Sequence, residues 1–84
     1  MTSTAEKIRS RMQVRRDLPN PEQRRALRES AGLSQQELAN AIGVTHQAVS
    51  HWEAGIRTPR GAVLDRYVDA LRALREASTP ERAA

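Results

Sequence analysis

Gln35 to Ala54 reads QQELANAIGVTHQAVSHWEA, with Ser34 before it and Gly55 after it. Ser34 and Glu37 have the spacing of a capping box, in which each side chain satisfies a free N–H at a helix start. Leu38, Ala39 and Ile42 then recur at helical spacing and make one apolar face. Gly43 suits the left-handed conformation that ends a helix. Val44 is an apolar plug in the turn. Thr45 caps a second helix, predicted over His46 to Ala54 and stopped by Gly55.

Helical geometry separates the faces of that second helix. At about 100° per residue from His46, Ala48, Trp52 and Val49 fall near roughly 200°, 240° and 300°. His46, Ser50, Ala54, Gln47 and His51 fall near roughly 0°, 40°, 80°, 100° and 140°. The apolar and polar arcs do not overlap, and the polar arc has no Asp, Glu, Lys or Arg. A solvated helix face is normally rich in charge, whereas neutral donors and acceptors suit base edges. Two short helices joined by a tight Gly turn form a helix-turn-helix, whose second helix fits a DNA major groove.

The rest of the chain frames this unit. Eighty-four residues make one small domain. With one Trp, one Tyr and no Phe, its core is expected to be aliphatic and helical. The absence of Cys excludes disulfide scaffolds, Cys metal sites and thiol catalysis. No apolar run approaches the roughly 20 residues of a membrane span, so no membrane partner is expected. The N-terminus lacks the apolar block of a signal peptide, and the expected location is cytoplasmic.

The net charge of +4 is uneven: residues 1–20 carry +3, residues 21–60 carry +1, and residues 61–84 balance. Residues 1–20 are therefore expected to be a basic N-terminal arm or short helix, with Arg15 and Arg16 near phosphates. The bland alternative is a solvated charged tail. Ala5, Ile8 and Met12 after Ser3-Thr4-Ala5-Glu6 predict a weakly amphipathic helix to about Arg16. Its apolar face is thin, which leaves disorder open as well.

Asp17-Leu18-Pro19-Asn20-Pro21 breaks any helix. Asn20 with Gln23 makes another capping box, opening a helix from Pro21 to about Ala31. Leu27 and Ala31 are its expected inward face, with Arg28 beside them. After the loop Ile56 to Gly61, Val63, Leu64, Tyr67, Val68, Leu71 and Leu74 form one stripe on a helix to about Ala77. Residues 21–77 are the predicted domain, and residues 78–84 a polar tail.

These residues resemble the Cro and phage-repressor (XRE) family of helix-turn-helix DNA-binding domains, over about Arg24 to Leu71. The likeness is carried by Leu27-Arg28-Glu29, Ala31-Gly32-Leu33-Ser34-Gln35, Glu37-Leu38-Ala39, Gly43-Val44-Thr45, Val49-Ser50, Trp52-Glu53, Gly55, Arg57 and Pro59. It implies an all-α helical bundle of the phage-repressor type. It also implies roles by position. Gln35 would meet a phosphate; His46, Gln47 and His51 would read bases; Arg28 would pair with Glu53; Arg60 would reach DNA after the loop Pro. Ser50 lies on the same polar arc as the base readers. Thr45 and Arg57 join the expected phosphate contacts. Two departures matter. Ala54 stands where relatives often have an Asn, and the last stripe lacks the Gly turn that usually splits it, so one long C-terminal helix is expected.

Each reading has a plainer rival. Gln47 could be a solvated helix residue, though its arc favours a base. His46 and His51 diverge by about 140°, too far apart for a two-His metal site on one face, and no metal or other cofactor is expected. Trp52 lies mid-arc on the apolar side and is expected in the core. Glu53 near a helix C-terminus is disfavoured by the helix dipole, so a compensating cation is expected. No nucleophile–base pair, phosphate loop or metal cluster appears, which argues against an enzyme.

The expected function is sequence-specific binding of double-stranded DNA by a transcriptional regulator, a repressor acting as a homodimer. No small-molecule ligand is evident. The rival is an antitoxin-type module that also neutralises a partner protein. The distal stripe at Leu74 and Ala77 extends beyond the family likeness and is expected to be free for the twin subunit.

Overall fold

A computed structural model describes residues 3–77, all of its regular structure helical. The polar tail expected at 78–84 lies outside the described residues. The helices are α1 (Thr4–Asp17), α2 (Pro21–Ser30), α3 (Gln35–Ile42), α4 (His46–Glu53) and α5 (Gly61–Ala77). Their starts follow local chemistry. Asn20 Oδ1 accepts from the Gln23 N–H at 2.8 Å, and Gln23 Oε1 accepts from the Asn20 N–H at 3.1 Å. Pro21, which has no N–H to leave unsatisfied, opens α2. Ser34 and Glu37 form the same reciprocal box at 3.0 and 2.9 Å. That bonding holds the Glu37 carboxyl below its ordinary range, chiefly through the Ser34 backbone N–H. Thr45 Oγ1 accepts from the Ala48 N–H at 3.1 Å.

Between α3 and α4 the chain reverses at Gly43, whose φ of +87° is a left-handed value that Cβ would disfavour. Val44 N–H and Gly43 N–H both return to the Ala39 carbonyl, at 3.0 and 2.8 Å. Ala39 is fully buried, and its small side chain lets the two helices approach closely. The Ile42 carbonyl, one of the unsatisfied groups at the end of α3, accepts from Arg66 Nε at 2.9 Å. α5 thus holds the exit of α3 in place.

The core joins α3, α4 and α5. Leu38, Ala39, Ile42, Val49, Trp52, Tyr67, Leu71 and Leu74 make one buried cluster, with Leu64 and Val68 also buried on α5. Trp52 and Tyr67 meet with ring centroids 4.6 Å apart and planes tilted by 40°, a favourable aromatic geometry. Trp52 is therefore a core side chain. α5 runs unbroken for 17 residues, as the missing Gly turn predicts.

Two expectations about faces are corrected. Leu74 is only 7% exposed and belongs to the main cluster, so it is not a surface left for a twin subunit. The reason is packing: Leu74 joins the cluster that α3 and α4 build with α5, against which Leu18 and Leu27 also pack. Ala31, just past the end of α2, is exposed; on α2 Leu27 is half-buried, and the buried residues are Arg24 and Arg28.

α1 is a helix with no buried residue. It lies on α5 by polar links. Arg11 donates to Asp65 Oδ1 at 2.6 Å and to the Gly61 carbonyl at 3.3 Å. Arg72 donates to Asp17 at 2.5 Å, and this bond, with help from Gln13, lowers the Asp17 carboxyl below its ordinary range. Leu18, just past the helix, packs on the core. Ile8 and Met12 remain exposed.

Candidate nucleic-acid interface

On α4, Val49 and Trp52 of the apolar arc are buried as the arcs predict, Ala48 is half-buried, and the buried Glu53 belongs to neither arc. His46 and Gln47 are exposed, and Ser50 and His51 half-buried. Thr45, Gln47, Ala48, His51, Trp52 and Arg57 line a shallow concavity of about 340 Å³ on this side. Next to it lies a cleft of about 590 Å³ lined by Arg15, Ile56, Arg57, Thr58, Pro59 and Arg60. Arg57 lines both, so the two depressions share one wall residue. Neither lining contains Asp or Glu.

The cleft brings together sequence-distant arginines. Arg57 and Arg60 come from the loop after α4, and Arg15 from the last turn of α1. Arg15 reaches them because Arg11, one turn earlier, is anchored to Asp65 and Gly61 at the start of α5. Arg16 is exposed on α1 and does not line the cleft.

Behind the exposed face is a buried charge. Arg28 Nε and Nη2 donate to Glu53 Oε2 and Oε1 at 2.7 and 2.9 Å, a bidentate pair. Arg28 Nη1 donates to the Leu33 carbonyl at 2.7 Å. The two side chains are 10% and 3% exposed, so the pair lies in the interior. Burial pushes the Glu53 carboxyl up, but the bonds from Arg28 and Gln35 outweigh it and hold the group below its ordinary range. The bond to Glu53 likewise raises Arg28. Through this pair α2 fixes the C-terminal end of α4, where the helix dipole alone would repel a carboxylate.

Gln35 extends the network. Its Nε2 donates to Glu53 Oε1 at 3.1 Å, and its Oε1 lies 2.8 Å from His46 Nε2. The first residues of α3 and α4 are thereby joined to each other and to the buried pair. Sequence reading placed both residues at the surface for contact with DNA and did not foresee this link. No short-range signal marks it, since the partners are 11 and 18 positions apart.

Arg24 was also missed. It is 3% exposed, with its guanidinium carbon 5.7 Å from the centre of the Tyr67 ring. Its Nε and Nη1, and the Tyr67 hydroxyl, are buried without a hydrogen-bond partner. Burial pushes that hydroxyl up to about 12, against the opposing charge of Arg24. A hint was present: Arg24 precedes Arg28 by four positions and so shares its helix face.

No match was found among curated proteins or among solved structures. A family model described as helix-turn-helix matches residues 25–76, from the middle of α2 to nearly the end of α5, and leaves α1 outside. With the capped α3, the Gly43 turn and the polar face of α4, that match makes this chain a member of the XRE-family helix-turn-helix DNA-binding domains.

Proposed function

We propose that this protein is a transcriptional regulator, a repressor that binds duplex DNA sequence-specifically as a homodimer with α4 in the major groove. His46, Gln47, Ser50 and His51 face base edges. Thr45, Arg57, Arg60, Arg15 and Arg16 face phosphates, and so does Gln35 through the amide N–H that Glu53 leaves unused. The observation that carries this reading is that Arg57 lines both the polar concavity and the arginine cleft. An uncharged polar helix face and an arginine cleft share this residue, and neither lining is acidic. Neutral groups on the helix suit base edges, and flanking guanidiniums suit the phosphate backbone beside them. A two-fold pair would place two such helices about 34 Å apart on one face of DNA.

In-vitro selection from a random duplex pool tests the reading, since it returns the site, its symmetry and its half-site spacing together. Gln47→Ala should weaken the selected site by about 1–3 kcal/mol and barely change non-specific binding. Equal affinity of that variant and the wild type would remove the main base reader. Sedimentation with and without the selected site tests the homodimer, and one protein per site at saturation would refute it.

A further inference from the structure

The chain of hydrogen bonds that links Arg28 to His46 through Glu53 and Gln35 has a direction, and that direction decides which ring atom His46 presents. Arg28 carries only donors, and both oxygens of Glu53 accept from it. An ionised carboxylate accepts and never donates. Gln35 must therefore turn its amide nitrogen toward Glu53, which is the arrangement at 3.1 Å. Its carbonyl oxygen then faces the other way, 2.8 Å from His46 Nε2. A carbonyl oxygen also only accepts, so the proton between them belongs to Nε2. Neutral imidazole has one ring proton, which leaves Nδ1 bare. The ring is exposed at the first position of α4.

We propose that Gln35 and Glu53 are positioning residues that lock neutral His46 in its Nε2–H tautomer, so that its free Nδ1 acts as an acceptor and selects a base with an amino donor. In the major groove those donors are adenine N6 and cytosine N4. Guanine O6 and N7 and thymine O4 are acceptors, and each would face Nδ1 lone pair to lone pair. The inference rests on the reading that α4 enters the major groove, whereas the tautomer itself does not need DNA.

Two measurements separate these layers. The first is heteronuclear NMR of the imidazole rings in nitrogen-labelled, DNA-free protein, at a pH where the rings are neutral. Gln replacement of His51 (His51→Gln) assigns the two spectra. His46 should show a protonated Nε2 and a bare Nδ1, and Gln35→Leu should convert this to a tautomer mixture. A wild-type His46 carrying its proton on Nδ1, or one already mixed, overturns the proposal whether or not the variant folds. The second is selection from a random pool with wild type, His46→Ala and Gln35→Leu. The position that loses its preference in His46→Ala is the one His46 reads. There the wild type should favour adenine or cytosine by about tenfold, the worth of about one hydrogen bond. Gln35→Leu should relax that position while the preference set by Gln47 persists. A guanine or thymine preference, or no preference there beside an otherwise well-defined site, overturns base selection by His46 and leaves the DNA reading standing. A pool with no enrichment anywhere overturns the DNA reading and base selection together, and the spectrum still judges the tautomer.

Discussion

Glu53→Gln removes one negative charge and almost no volume, so it isolates what the buried carboxylate does. In the native fold Glu53 takes two bonds from Arg28 and one from Gln35. The substitution leaves the Arg28 charge in the interior with neutral acceptors alone, the new amide oxygen and the Leu33 carbonyl. Stranding one member of a buried pair costs about 3–5 kcal/mol. For a domain of this size the whole stability is on the order of 4–13 kcal/mol, from about 0.05–0.15 per residue. The variant should therefore sit close to unfolding. With a urea slope of about 1.5 kcal/mol per M, its midpoint should fall by about 2–3 M. Arg28→Met should do comparable damage. The double variant Arg28→Met with Glu53→Leu leaves no stranded charge, and should recover to within about 2 kcal/mol of wild type or exceed it. Small, additive single effects under about 1 kcal/mol would refute the interior pair and assign it the worth of a surface contact.

The same pair sets a pH dependence with a definite sign. The folded Glu53 carboxyl is depressed relative to its ordinary value of 4.5, so its contribution is complete above that value. It is lost as pH falls through the depressed folded value. Wild type should lose stability on acidification below the carboxylate range, and Glu53→Gln should lose less across the same window.

Arg24 is buried with two unpaired nitrogens, each an uncompensated loss of about 1–3 kcal/mol, against about 0.5–2 kcal/mol regained over the Tyr67 ring. Arg24→Met should accordingly raise the denaturation midpoint, and a loss beyond about 1 kcal/mol would show that the guanidinium is better satisfied than its geometry indicates. Leu74→Ala should destabilise the protein by about 2–5 kcal/mol at every protein concentration, because the side chain packs inside one subunit; unchanged stability would return Leu74 to the surface. Deleting residues 1–16 removes Arg15 from the cleft and Arg16 beside it, and should reduce the log–log salt slope of DNA binding by about 0.9 for each phosphate no longer neutralised. An unchanged slope would place α1 away from DNA.

Local chemistry was legible in the sequence wherever the deciding interactions span a few residues. The capping boxes at Asn20 and Ser34, the Thr45 cap and the left-handed Gly43 each depend on neighbours within one turn. The apolar stripe of α5 and the two arcs of α4 follow from helical periodicity alone. So the number of helices in the domain, the turn between α3 and α4 and the polar face of α4 could be read directly. The weakly patterned start of the chain left helix and disorder open, because nothing within residues 4–17 pays for its own ordering by burial.

The tertiary structure alone decided which long side chains were taken from water. Arg24 shares a helix face with Arg28 and Leu74 lies on the α5 stripe, but only the packing of the helices shows that both positions are buried. Arg11 and Asp65 are 54 positions apart, and their bond turns a basic segment into a docked helix that carries Arg15 to Arg57 and Arg60. Gln35 and His46 each have the polar character of a surface contact. Their bond arises because α3 and α4 start beside one another above Glu53. Periodicity fixes which way a side chain leaves its own helix, but not what stands opposite. For a side chain with several donors or acceptors, what stands opposite determines whether it is buried, bonded or free.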